Sequence, residues 1–213
     1  MKANDYGYKA AKNSIITLQI LGKTNESRAD IFDSNFAKFR CSKALVVDIE
    51  DFWTKEKTNI DKSIYRESFI YEVGKEVVPD IYNEDLNIVC APGIHYFKTK
   101  EAAEAYFLEN SIRKQDGLQH LFHDNGRVKN EVTYQNGLIE GLYREWYENG
   151  SLKEECKFIA GSIEGIYKDW HENGQLSMLS TYKNNRRDSY KKWDQNGVLT
   201  KTISYVDGFD PIF

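Results

Sequence analysis

The feature that most restricts this chain is an internal repeat in its second half. From Gly117 it reads GLQHLFHDNGRVKNEVTYQNGLIE, from Gly141 GLYREWYENGSLKEECKFIAGSIE, from Gly165 GIYKDWHENGQLSMLSTYKNNRR and from Asp188 DSYKKWDQNGVLTKTISYVDGF, at spacings of 24, 24 and 23 residues. Aligned columns hold Phe122, Trp146, Trp170 and Trp193, then an Asn-Gly pair, then Val128, Leu152, Leu176 and Leu199, then Tyr134, Phe158, Tyr182 and Tyr205. Each copy is two short runs with apolar positions around Asn-Gly, the strongest short-range hairpin signal because both residues tolerate positive φ. Four hairpins, and so eight strands, are expected.

The loop has two candidate lengths, and register separates them. A two-residue loop sets Trp146 opposite Lys153 and Trp170 opposite Ser177. A three-residue loop (Glu148-Asn149-Gly150) with a bulge at the glycine sets Trp146 opposite Leu152, Trp170 opposite Leu176, Leu142 opposite Cys156 and Arg144 opposite Glu154. The second pairs apolar with apolar and opposite charges together, so it is expected. The tyrosines Tyr143, Tyr167 and Tyr190 then fall on the face opposite the tryptophans, beside Glu155, Leu179 and Thr202. On that expectation the tyrosine row is the binding surface and the tryptophan row the packed one, since tyrosine offers apolar area and a hydroxyl at low entropic cost.

The GxYxxWxENGxLxxxxxF pattern of Gly141–Phe158 resembles the longer, antitoxin-type variant of the MORN repeat, and the resemblance extends over about Gly117–Gly208. It implies an antiparallel sheet of stacked hairpins and a role in binding or scaffolding, with no chemistry attached. The first copy departs from the pattern, with Gln119 where later copies have tyrosine, which marks it as a candidate interface to the N-terminal domain. That domain is expected to cover one end of the sheet and Phe209–Phe213 the other, because bare edge strands invite aggregation. His123 and His171 share a column but lie two repeats, roughly 19 Å, apart, too far to share a metal ion. Arg186, Arg187, Lys191 and Lys192 are the compact basic cluster of this half, the one candidate for an anionic lipid surface.

Before the repeats, Ile15–Leu21, Ala44–Ile49, Phe69–Val73 and Ile94–Phe97 read as strands and Lys100–Leu108 (KEAAEAYFL) as a helix, with Glu50–Glu67 as a long charged loop. The expected fold is an α+β N-terminal domain, residues 1–112, followed by an all-β repeat sheet of stacked antiparallel hairpins, residues 113–213. The blocks RCSKALVVDI, SFIYEVGKEVVPD and CAPGIHYFKTKEAAEAY resemble an uncharacterised domain of phages and large DNA viruses, which implies a viral origin and no established activity. Cys90 and His95 flank Pro92-Gly93 and are the candidate pair for an enzymatic site. The sequence offers two or three candidate ligands and no fourth for zinc, and buried structural cysteines are the commoner arrangement, so no catalytic residue, no metal site and no cofactor is expected. There is no phosphate-binding glycine motif.

Composition narrows the partners. With 29 basic and 33 acidic residues, net −4, nothing draws in nucleic acid. Three scattered cysteines (Cys41, Cys90, Cys156) make no disulfide framework, and Met1–Lys12 is polar where a signal peptide is apolar, so an intracellular location is expected, in host cytoplasm or virion if the protein is viral. The reading is a non-enzymatic interaction or scaffold protein with a protein partner, and with self-association as a further option. The alternatives are an enzyme at Cys90 and His95 whose repeats recruit substrate, or a membrane-surface module attached through Arg186–Lys192.

Overall fold

The computed structural model describes residues 6–205, and the chain divides into two units, Met1–Ser111 with Phe122–Arg127, and Ile112–Leu121 with Val128–Phe213. The expected end-cover Phe209–Phe213 lies outside the described residues.

The first unit contains β1 (Tyr6–Ala10), β2 (Ser14–Ile20), β3 (Lys38–Cys41), β4 (Ala44–Asp51), β5 (Ile60–Lys62), β6 (Ile70–Glu72), β7 (Glu76–Val77), β8 (Ile94–Phe97) and α1 (Lys100–Asn110). Six strands form an antiparallel sheet in the order β3-β8-β1-β2-β4-β7, and β5 pairs with β6 separately. Both faces of the sheet are buried, which is why SIITLQI reads as a continuous apolar run rather than an alternating one. Ile16 and Leu18 join Phe39, Val46, Ile49, Ile94 and Tyr96 on one side, whereas Ile15 joins Phe52 and Phe97 under the helix on the other. Thr99 caps that helix, its hydroxyl accepting from the Ala102 amide at 3.3 Å. Ala102 and Ala103 let the helix approach the sheet closely, and Phe107 stacks on Phe52 at 4.3 Å.

One helix against eight strands makes this unit mostly β, a correction to the α+β expectation. The missed strands explain the difference. β3 (KFRC) has two cations yet is wholly buried, because Lys38 and Arg40 find partners inside, and β5 lies within the expected Glu50–Glu67 loop.

The second unit holds β9 (Gly117–Phe122), β10 (Val128–Gln135), β11 (Leu138–Ile139), β12 (Gly141–Trp146), β13 (Leu152–Ile159), β14 (Ser162–Ile163), β15 (Gly165–Trp170), β16 (Leu176–Lys183), β17 (Arg186–Trp193) and β18 (Leu199–Ser204). All belong to one ten-stranded sheet, with β11 and β14 as short additions to the eight strands expected. The Asn-Gly loops are three residues long: Tyr147 donates to Ser151 at 2.9 Å, and Gly150, at φ +91°, donates back to Tyr147 at 2.9 Å. The same closure recurs at His171 with Gln175 and at Asp194 with Val198. Trp146 therefore pairs with Leu152, Trp170 with Leu176 and Trp193 with Leu199.

Immediately beyond each of these pairs lies a second bulge that the sequence did not reveal. Trp146 faces Leu152 while Glu145 faces Glu154, so Lys153 is the extra residue; Ser177 and Thr200 repeat the pattern. One inserted residue moves every later pair by one, so Leu142 faces Lys157, not Cys156, and Arg144 faces Glu155, not Glu154.

The return connections are two-residue turns with both residues at positive φ: Asn136-Gly137, Ala160-Gly161 and Asn184-Asn185. Their amides are held by the acid preceding each repeat. Asp116 accepts from Asn136 and Gly137 at 2.9 and 3.0 Å, Glu140 from Ala160 at 2.8 Å and Glu164 from Asn184 at 2.7 Å. Those two bonds pull the Asp116 carboxyl below its usual range. The final 23-residue spacing puts Asp188 where earlier copies have a glycine at positive φ, and β17 pairs with β16 from Arg186 to Lys192, with Asp188 the extra residue at a bulge.

Candidate functional site

The extra bulge residue reverses the assignment of faces. Tyr143, Tyr167 and Tyr190 stand opposite Cys156, Ser180 and Ile203, not beside Glu155, Leu179 and Thr202. Val132, Cys156, Ser180 and Tyr190 are the buried ones among the described residues of this unit, so the tyrosine row is its packed row. The rings pair diagonally, Tyr143 with Phe158 at 6.0 Å, Tyr167 with Tyr182 at 5.8 Å and Tyr190 with Tyr205 at 6.3 Å. Tyr143 donates to Glu145 at 3.0 Å, and burial raises the phenols of Tyr143 and Tyr167 and the acids Glu154 and Asp169 above their ordinary ranges. Burial also pushes the Cys156 thiol up to about 12, which leaves it unreactive at neutral pH.

The opposite face is the open one. Leu118, Leu142 and Ile166 occupy one column and are 58, 40 and 57% exposed. Strand alternation puts them on the same side as Trp146, Trp170 and Trp193, which are only partly buried. Between the two apolar rows runs a ladder of alternating charge. His120 meets Glu131 at 3.1 Å, Arg144 meets Glu131 at 3.7 Å and Glu155 at 3.0 Å, and Lys168 meets Glu155 at 3.7 Å. Pairs this exposed contribute little stability singly, but they fix the pattern of charge that a partner meets.

Other expected features separate. Lys191 pairs with Leu179 on the open face, while Lys192 and Arg187 lie over the Tyr190 ring at 5.7 and 5.3 Å on the packed face, so the basic cluster is split across the strand. His171 stitches one repeat to the next through the Trp193 carbonyl at 3.0 Å, as Tyr147 does through the Trp170 carbonyl at 2.8 Å.

In the first unit Cys90 and His95 do line one cavity, of about 570 Å³, with Lys9, Lys38, Tyr71 and Tyr106 among its other walls. Cys90 is exposed, and its thiol lies 3.7 Å from the Lys38 ammonium and 3.4 Å from the Asp124 carboxylate. His95 is turned away, its Nε2 bonded to the Val89 carbonyl at 3.0 Å, and burial lowers its pKa to about 4, so the ring is neutral. No hydrogen bond joins Cys90 to His95 among the described residues, and no group of three His, Cys, Asp or Glu side chains among them is placed to hold a metal. Cys41 is sealed in the core, its thiol pushed up to about 12 by burial.

Sequence reasoning missed two residues of this unit. Lys9 reaches the cavity from β1. Arg40, fully buried, ties down the segment that forms the far wall, donating to the carbonyls of Ile88 at 3.0 Å, Asn83 and Asp85 while its guanidinium lies 5.1 Å from the Tyr82 ring. Nothing in a lone Arg or Lys within a short strand distinguishes it from a solvated one; the signal lies in partners distant in sequence.

No helix among the described residues is long and apolar enough to cross a membrane. Comparison with curated protein sequences finds no match to the chain. Two family models do match it. Residues 2–103 match a family of unknown function (DUF5758), and residues 115–136, 139–160 and 163–184 each match the MORN repeat variant, so the chain is similar to that uncharacterised family in its first half and to variant MORN repeats in its second.

Proposed function

We propose that this is a non-enzymatic interaction or scaffold protein that captures a protein partner on the open face of its repeat sheet. The observation that carries this reading is the exposed column Leu118, Leu142 and Ile166, one residue in each of the first three hairpins, beside a partly exposed tryptophan row. Aliphatic side chains left in water at equivalent positions of successive repeats, with Lys157 and Thr181 of the intervening strands beside them, make a regularly spaced set of apolar contact points on one face. The charge ladder flanking them offers both signs, which suits a polar interface rim rather than a nucleic acid or an anionic membrane. The viral resemblance of the N-terminal blocks supports a setting in a large DNA virus or phage.

The test is affinity capture with the tagged full chain from cells that produce it, comparing wild type with Leu142→Glu/Ile166→Glu. Both positions are exposed, so the double variant is expected to keep its melting temperature and lose the captured partner. Identical partners on both proteins would sink the reading.

A further inference from the structure

The cavity of the first unit falls within the size range of small-molecule sites, roughly 300–1,000 Å³, at about 570 Å³. Much of its wall is apolar or aromatic, including Ile64, Phe69, Tyr71 and Phe97. Three cations reach it. Lys38 is neutralised by Asp124 at 2.9 Å and Arg66 by Asp80 at 2.5 Å. Lys9 differs. Its ammonium donates to the His95 carbonyl at 3.2 Å and lies 5.5 Å from the Tyr71 ring, and no carboxylate among the described residues stands within ion-pair distance of it.

Lys9 is half-buried, and it lines the cavity. Burial pulls its pKa down to about 8, which still leaves it mostly protonated at neutral pH. The neighbouring His95 ring is neutral and so adds no second positive charge beside it. An ammonium held among apolar walls without an anion costs stability, and a well-packed apolar side chain of similar length would be easier to accommodate there. An anion is the group that would balance this charge, and the walls around it suit an apolar body attached to that anion.

We propose that this cavity binds a small organic acid, its carboxylate seated on the Lys9 ammonium and its apolar body lying against Phe69, Tyr71 and Phe97. Lys9 is then a ligand-binding residue, and Cys90 and His95 are parts of the wall. The site is independent of the repeat-sheet reading, since every lining residue belongs to the first unit.

The test uses the full chain and the fluorescent anion anilinonaphthalene sulfonate as reporter, displaced by octanoate or by 1-octanol. Octanoate should displace the reporter from wild type at least tenfold more effectively than octanol. Lys9→Met should weaken octanoate binding at least tenfold with a melting temperature no lower than that of wild type. Ala91→Phe, which fills the cavity from its wall, should abolish octanoate-sensitive fluorescence and leave binding at the exposed repeat face untouched. Equal displacement by the acid and the alcohol overturns the proposal, as does full octanoate affinity in Lys9→Met or in Ala91→Phe. Should Lys9→Met fail to fold, the acid-against-alcohol comparison on wild type and the Ala91→Phe variant decide it.

Discussion

At the scale of single residues, the return turns show what backbone conformation demands of sequence. Three turns need two consecutive positive-φ residues, and Asn, Gly and one Ala fill them. Ala160, at φ +48°, is the costly choice, because its Cβ crowds the following carbonyl in the left-handed region. Ala160→Gly is therefore expected to stabilise the second unit by about 1 kcal/mol, measured by urea denaturation, despite the greater freedom glycine gives the unfolded chain. The acid column Asp116, Glu140 and Glu164 was present in the sequence as a regular feature, but its purpose, holding the turn amides one hairpin later, is visible only once the chain has doubled back.

At the scale of elements, the sheet rests on the tyrosine row. Tyr190 is buried between the Tyr205 ring and the Arg187 and Lys192 side chains. Tyr190→Ala should cost about 3 kcal/mol, by analogy with other buried aromatic truncations, whereas Trp170→Ala, on the partly exposed face, should cost less than half as much. Equal losses in thermal denaturation would mean that the two faces are packed alike. In the first unit Arg40 plays the corresponding part. Arg40→Met leaves the Ile88, Asn83 and Asp85 carbonyls without their donor, and a loss of about 3 kcal/mol together with faster amide exchange over residues 79–93 is expected.

For the molecule as a whole, the two units respond differently to mild acid, between pH 6.5 and 4. His95, with its pKa lowered to about 4, contributes stability that is complete above the unfolded value of 6.5 and is lost as pH falls from 6.5 to 4. Glu50, held near 2 chiefly by its bonds to Lys100 and Lys57, contributes above 4.5 and is lost between 4.5 and 2. In the second unit burial raises Glu154 and Asp169, so protonating them relieves a cost that is present at neutral pH. Acidification should therefore weaken the first unit while sparing the repeats. Hydrogen exchange followed from pH 6.5 to 4 should show protection falling in β1, β2 and β8 before β13 and β16, and His95→Gln should flatten the first of these losses. Early collapse of the repeat amides would contradict it.

The hairpins, their three-residue loops and the pairing of tryptophan with leucine were legible in the sequence, because turn geometry and apolar alternation are local properties repeated four times. Which face is packed was not. A single bulged residue after each loop, Lys153, Ser177 or Thr200, moves the tyrosines from beside Glu155 to opposite Cys156, and in a sheet of period two a one-residue shift exchanges the faces. In the first unit the strongly apolar strands and the helix were legible as well, while β3 was hidden by its charges. Lys9, Arg40 and the cavity were decided by tertiary structure alone, since a buried cation is defined by walls and partners that come from strands and loops 40 to 90 residues away.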